Sequence, residues 1–110
     1  MLKAITTCMS TTSSIDVTKL VSMAKRYETE RKIDSLSILK NQKLYIFHSQ
    51  RDSTVKYQAS EKLKEFYQRL DVKDIVFKSH PSAGHSMVTN DYGNSCSSSF
   101  ENEKLLLFCF

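Results

Sequence analysis

Two short apolar segments with a helical pattern between them constrain the fold of this chain most strongly. Residues 44–47 (LYIF) and 75–77 (IVF) are rich in side chains that favour strands. Between them, apolar residues recur at helical spacing, which predicts a helix over 57–70. This order favours two parallel strands joined by a right-handed crossover helix. The sequence therefore predicts an α/β fold with strands at 43–48 and 74–78.

The segments on either side of this unit are predicted from helical spacing and from turn-forming residues. Asp16 is a candidate N-cap, and the apolar residues that follow it predict an amphipathic helix over 16–31. Residues 33–42 are expected to form a connection. Residues 79–99 are expected to be loop-like, because they contain the only proline and both glycines of the chain.

Composition excludes several classes of function. The net charge is +4, but the basic residues are scattered among acidic ones, so we do not expect a nucleic-acid partner. No apolar run is long enough for a membrane span or a signal peptide, which predicts a cytoplasmic location for the chain as encoded. The three cysteines include no Cys-x-x-Cys pair, so neither a zinc site nor any other metal or cofactor is expected.

One carboxylate and one imidazole follow the two predicted strands. Asp52 lies in the polar loop after the first strand, and His85 lies in the loop after the second. Sites of open α/β sheets form at the C-terminal ends of their strands, so both residues are candidates for one site. In a hydrolase, such an acid fixes the imidazole tautomer while the histidine carries the proton of a nucleophile. Gly84 allows a tight backbone turn beside His85.

Several segments of the chain resemble poly(3-hydroxybutyrate) depolymerases. They are residues 32–36 (KIDSL), 44–48 (LYIFH), 52–55 (DSTV) and, most specifically, 83–96 (AGHSMVTNDYGNSC). The resemblance covers roughly residues 8–99 and implies a partial α/β-hydrolase fold, truncated to its last two parallel strands and their crossover helix. Because those enzymes are serine esterases with the chain order serine, acid, histidine, it also implies that Asp52 is the triad acid and His85 the triad base.

The resemblance implies that this chain is the C-terminal part of such an enzyme. Residues 1–99 are expected to belong to the hydrolase domain and 100–110 to a divergent tail. The chain contains no Gly-x-Ser-x-Gly, so the nucleophile is expected to precede Met1. The chain alone is then inactive. A separately encoded N-terminal half is a possible partner, a polyester or short ester is the substrate of the parent enzyme, and the parent is possibly secreted.

The sequence departs from the family at three places: position 49, the tail over 100–110 and the missing Gly-x-Ser-x-Gly. The family has glycine after the histidine that ends the first strand, where this chain has Ser49, so a Cβ is expected to strain a sharp turn there. The resemblance alone implies a disulfide after Cys96, with Cys109 as its candidate partner, but the divergent tail argues against it. For this chain alone, reduced thiols are expected at Cys8, Cys96 and Cys109. The alternative function is a stand-alone small α/β binding module without catalysis, and a basic nucleic-acid-binding protein is a third, weaker interpretation.

Overall fold

The computed structural model describes residues 12–85, together with the backbone of residues 87–89, 94–95 and 106–108. The three cysteines, the tail outside 106–108 and residues 86, 90–93 and 96 of the 83–96 motif lie outside the described residues. Among the described residues, two 3₁₀ helices, at Thr12–Ser14 and Leu36–Asn41, accompany the main elements. Those elements are α1 (Val17–Thr29), β1 (Lys43–Ser49), α2 (Tyr57–Arg69), β2 (Asp74–His80), β3 (Met87–Thr89), β4 (Asn94–Ser95) and β5 (Leu106–Phe108).

The strand–helix–strand prediction is confirmed. Strands β1 and β2 pair in parallel along their whole length, from Lys43 opposite Asp74 to Ser49 opposite His80. Both strands are slightly longer than predicted, because the ladder continues into polar residues at their C-terminal ends. The predicted loop over 79–99 is wrong in part, since β3 and β4 also lie within it and pair in parallel with β5.

Helix α2 covers one face of the β1–β2 sheet. The Tyr57 ring meets the His48 ring edge-on at 5.6 Å between centroids and lies 5.7 Å from the Phe77 ring. Side chains alternate along a strand, so Tyr45 and Val76 belong to the opposite face. Tyr45 is 65% exposed and Val76, its neighbour in register, is 40% exposed. The α2-covered face is therefore packed, whereas the opposite face leaves these two apolar side chains partly open.

A small apolar core joins the two helices. Val17 and Val21 of α1 pack with Leu70 at the end of α2, and all three are at most 9% exposed. The half-buried residues around them are Ile15, Leu36, Leu39 and Phe66. Asp16 caps α1 as predicted, because its carboxylate accepts a hydrogen bond of 3.0 Å from the Lys19 backbone N–H.

A network of charged side chains also ties α2 to α1. The Arg69 guanidinium donates to the Thr18 hydroxyl at 2.8 Å and to the Glu65 carboxylate at 2.6 Å. Glu65 also accepts from Lys62, and this hydrogen bond together with the nearby positive charges lowers the pKa of the Glu65 carboxyl. The network is exposed, so its contribution to stability is small beside that of the apolar core.

Both helices end earlier than their apolar spacing predicts, and for the same reason. Arg31 and Asp71 adopt positive φ angles of 56° and 68° just beyond α1 and α2. In each case the next amide bonds back to the helix: Lys32 N–H reaches the Tyr27 carbonyl at 2.8 Å, and Val72 N–H reaches the Tyr67 carbonyl at 3.1 Å. This is the Schellman arrangement, here formed without glycine. No described helix is long and apolar enough to cross a membrane.

Candidate active site

Asp52 is a buried carboxylate whose two oxygens face in different directions. Its side chain is 7% exposed and lies in the loop that follows β1. Oδ1 accepts hydrogen bonds from the backbone N–H groups of Thr54 at 2.9 Å and Val55 at 2.8 Å. These bonds close a tight turn of the type that aspartate side chains stabilise. Oδ1 is therefore engaged in the turn, and Oδ2 is directed to the side chains beside it.

His85 lies where Oδ2 of Asp52 reaches it. The distance from His85 Nδ1 to Asp52 Oδ2 is 2.7 Å, a short charge-assisted hydrogen bond. A carboxylate only accepts, so Nδ1 carries the proton and donates it. In the neutral ring the basic lone pair then belongs to Nε2. The structure thus brings together the two residues that sequence reasoning selected, at the C-terminal edge of parallel strands.

The segment that leads into His85 is tightly enclosed. Ala83 is fully buried and Gly84 is buried, whereas the His85 side chain is 40% exposed. His85 is therefore anchored through its backbone and its Nδ1 bond while part of the ring reaches the surface. A general base needs this combination, because one ring nitrogen must be oriented while the other meets a reactant.

His48 is the site residue that sequence reasoning missed. It is 7% exposed, and its ring nitrogens lie close to three polar groups. Nε2 lies 3.0 Å from the Val55 carbonyl and 3.5 Å from Asp52 Oδ2, and Nδ1 lies 2.6 Å from the Ser60 hydroxyl. A signal was present, since His48 stands on the same face of β1 as Leu44 and Ile46 and is therefore an inward-facing polar residue.

Ser49 does not strain the turn, contrary to the expectation from its Cβ. Within the described residues, only Arg31 and Asp71 are non-glycine residues with positive φ. Ser49 instead continues the β1 ladder, so an ordinary L-residue fits its backbone, and Asp52 N–H still bonds to its carbonyl at 3.2 Å. Its hydroxyl does carry a cost, because Oγ is buried and has no hydrogen-bond partner among the described residues.

We expect Ser49→Ala to stabilise the chain. Removing a buried hydroxyl without a partner relieves its desolvation penalty, so the free energy of unfolding should rise by about 1 kcal/mol. Urea denaturation of the two proteins measures the change. Ser22→Ala is the matched control, because that exposed hydroxyl bonds the Thr18 carbonyl and its loss should change stability little. A clear loss of stability in Ser49→Ala would contradict the assignment.

A comparison with curated proteins shows a family relationship. The chain is 35% identical over 91 residues to a poly(3-hydroxybutyrate) depolymerase from Delftia acidovorans, an alignment that includes 82% of this chain. The chain is related to the poly(3-hydroxybutyrate) depolymerase family. It spans only 18% of the length of that depolymerase. No family model matches the chain.

Solved depolymerase structures share the fold. A PHB depolymerase from Penicillium funiculosum superimposes with a TM-score of 0.72 at 22% identity, over 84% of this chain and 29% of the other. A serine-to-alanine variant of a PHB depolymerase, in complex with a 3-hydroxybutyrate trimer, gives 0.73 at 23% identity over the same shares. The observed parallel pair with its helices is thus a partial α/β fold of the depolymerase type, as the resemblance implies.

Within residues 12–85, no group of three or more histidine, cysteine, aspartate or glutamate side chains is arranged to hold a metal ion. The roles of Asp52 and His85 as triad acid and base stay predictions, since geometry alone does not measure catalysis.

Proposed function

We propose that this chain supplies the acid and the base of a depolymerase-type serine esterase. The observation that carries the proposal is the 2.7 Å bond between Asp52 Oδ2 and His85 Nδ1, in a chain related to the poly(3-hydroxybutyrate) depolymerases. The serine nucleophile comes from polypeptide outside these 110 residues, since the chain contains no Gly-x-Ser-x-Gly. The chain alone is catalytically incomplete, because an acid and a base without a nucleophile have nothing to activate.

In this mechanism His85 moves a proton and Asp52 keeps its ring oriented. Nε2 of His85 accepts the serine proton as the serine oxygen attacks the ester carbonyl, and the Asp52 carboxylate stabilises the resulting imidazolium. The imidazolium then gives its proton to the leaving alkoxide as the ester C–O bond breaks. Water, deprotonated by the same nitrogen, releases the acyl group and restores the serine.

The substrate class follows from the relatives. The curated relative is named for poly(3-hydroxybutyrate), and one structural relative is described with a 3-hydroxybutyrate trimer. Neutral polyesters or short esters of hydroxy acids are therefore the proposed substrates. They require no cofactor, because the bond is cleaved by proton transfer and acyl transfer alone.

The proposed partner is the polypeptide that carries the nucleophile. In the described part of the chain, β1 and β2 pair only with each other in their sheet, so each has an outer edge. Tyr45 and Val76 are also partly open on the face opposite α2. Unpaired edges and open apolar side chains favour association, so we expect the isolated chain to be poorly soluble.

The test reconstitutes the esterase. The donor is the Delftia acidovorans depolymerase with the segment that aligns to this chain deleted, and activity is measured on a p-nitrophenyl ester and on polyhydroxybutyrate. We expect neither polypeptide alone to hydrolyse these substrates. The mixture, which we call the reconstituted esterase, should be active and more soluble than this chain alone. His85→Ala should abolish that activity. His80→Ala is the matched control, because the His80 ring accepts a hydrogen bond from the Ser82 backbone N–H and should be dispensable.

Two outcomes contradict the proposal. Turnover by the isolated chain that disappears in His85→Ala would show a nucleophile within these 110 residues. A stable, monomeric chain that stays inactive with every donor would favour the stand-alone binding module.

A further inference from the structure

We infer that His48 is a positioning residue for the Asp52–His85 pair, an inference that rests on the proposed function. It does not face the reactant. It acts through a series of contacts that runs from α2 to the proposed triad acid, Asp52. Each of these contacts is given by a distance between described atoms.

The first link favours one tautomer of the His48 ring. The Val55 carbonyl, 3.0 Å from Nε2, can only accept, so Nε2 must carry a proton. In the neutral ring Nδ1 is then an acceptor, and the Ser60 hydroxyl donates to it at 2.6 Å. Ser60 lies in α2, so the ring is held between a helix and the turn that follows β1. Its plane is fixed further by the edge-on Tyr57 ring.

The second link joins His48 to the carboxylate through Val55. The Val55 carbonyl accepts from His48, and the Val55 N–H donates to Asp52 Oδ1 at 2.8 Å. A shift of the His48 ring therefore shifts the turn that holds Oδ1. Because both carboxylate oxygens move together, Oδ2 would then move relative to His85 Nδ1.

The third link is electrostatic. The His48 Nε2–H lies 3.5 Å from Asp52 Oδ2, the oxygen that accepts from His85. One carboxylate oxygen thus faces two ring N–H groups, that of His85 within hydrogen-bond distance and that of His48 just beyond it. The titratable groups around His48 in this arrangement are Asp52 from the turn and Tyr57 from α2.

The alternative is that His48 only fills space in the core. A space-filling residue tolerates any substitution that preserves folding, whereas a positioning residue is sensitive to which ring nitrogen is replaced. Asparagine places its amide near the position of Nδ1, and glutamine places its amide near that of Nε2. His48→Gln can therefore keep the donor to the Val55 carbonyl, and His48→Asn cannot.

The experiment reads the tautomer of His85 in the full chain. The chain has three histidines, so ¹⁵N-histidine labelling gives few ring signals, which His80→Asn and His85→Gln assign. In dilute, monomeric samples we expect wild-type His85 to be the Nδ1–H tautomer. His48→Gln should retain it, and folded His48→Asn should lose the preference.

In the reconstituted esterase, His48→Asn should lower kcat about tenfold or more at unchanged KM, the effect of about one oriented hydrogen bond.

Ser60→Ala keeps the test decisive if His48→Asn does not fold. It removes only the hydroxyl that holds Nδ1 and should shift the His85 tautomer populations in the same direction. Ser22→Ala, an equivalent deletion on α1, should leave them unchanged.

The outcomes separate the two proposals. If folded His48→Asn keeps the wild-type His85 tautomer and the wild-type kcat, the positioning role is overturned and the esterase proposal still stands. If His48→Asn does not fold, the same result in Ser60→Ala has the same meaning. Wild-type His85 without an Nδ1–H preference would overturn the positioning role and the Asp52–His85 pairing together. An inactive mixture with the expected tautomers would overturn only the esterase proposal.

Discussion

Replacing Asp52 with asparagine should lower the turnover of the reconstituted esterase by about 10⁴-fold while the chain remains folded. The amide oxygen can still accept from the Thr54 and Val55 N–H groups, so the turn persists. The amide nitrogen then takes the place of Oδ2 and donates towards His85. His85 must accept at Nδ1 and carry its proton on Nε2, where it can no longer take one from the serine.

Initial rates on a p-nitrophenyl ester and the ¹⁵N ring shifts of His85 check this expectation together. Asp74→Asn is the matched control, because Asp74 begins β2 at the far end of the sheet and pairs only loosely with Lys43, at 3.9 Å. Asp52→Ala should be inactive and also less stable, since it removes the acceptor of two backbone N–H groups. An Asp52→Asn protein with the wild-type tautomer and near-normal turnover would remove Asp52 from the mechanism.

The sequence was sufficient to predict the elements on which the site stands. Apolar runs at 44–47 and 75–77 and the helical spacing between them predicted β1, β2 and α2 to within two residues at each end. Since both strands are parallel, their following loops meet at one edge, and this placed Asp52 near His85 before any distance was known. These are local patterns combined with one general rule of topology.

The parts that could not be predicted depend on contacts between distant residues or on rare backbone choices. His48 was predicted only as the last residue of the first strand, because its partners become visible only when α2 packs on the sheet and brings Ser60 to it. The ends of α1 and α2 were placed too late, since Arg31 and Asp71 adopt a conformation that glycine usually signals. β3 and β4 pair with β5, whose residues follow in the segment that was predicted to be a divergent tail.

Replacing Leu70 with alanine should cost about 2–5 kcal/mol of unfolding free energy, a large share of the stability of a chain this small. Leu70 is 6% exposed and closes the core that Val17 and Val21 form on α1. Truncating it leaves a cavity between the two helices, where the Schellman turn at Asp71 restricts how far the backbone can move to fill the space.

Urea denaturation measures this loss as a lower midpoint at a similar m-value, or as the absence of a cooperative transition. Leu63→Ala is the matched control on the same helix, because Leu63 is 43% exposed and should cost much less. If the two substitutions cost the same, the helix–helix core is not the main source of stability.

The two oxygens of Asp52 make different hydrogen bonds, and this has an evolutionary consequence. Oδ1 maintains the turn that precedes α2, whereas Oδ2 orients His85. In a lineage that has lost hydrolysis, selection for folding alone still favours aspartate or asparagine at position 52, while nothing comparable retains the imidazole at position 85. We therefore expect His85 to drift first. Under the proposed function, the histidine is then the marker of retained chemistry among homologous chains, and the aspartate alone is a marker of the turn.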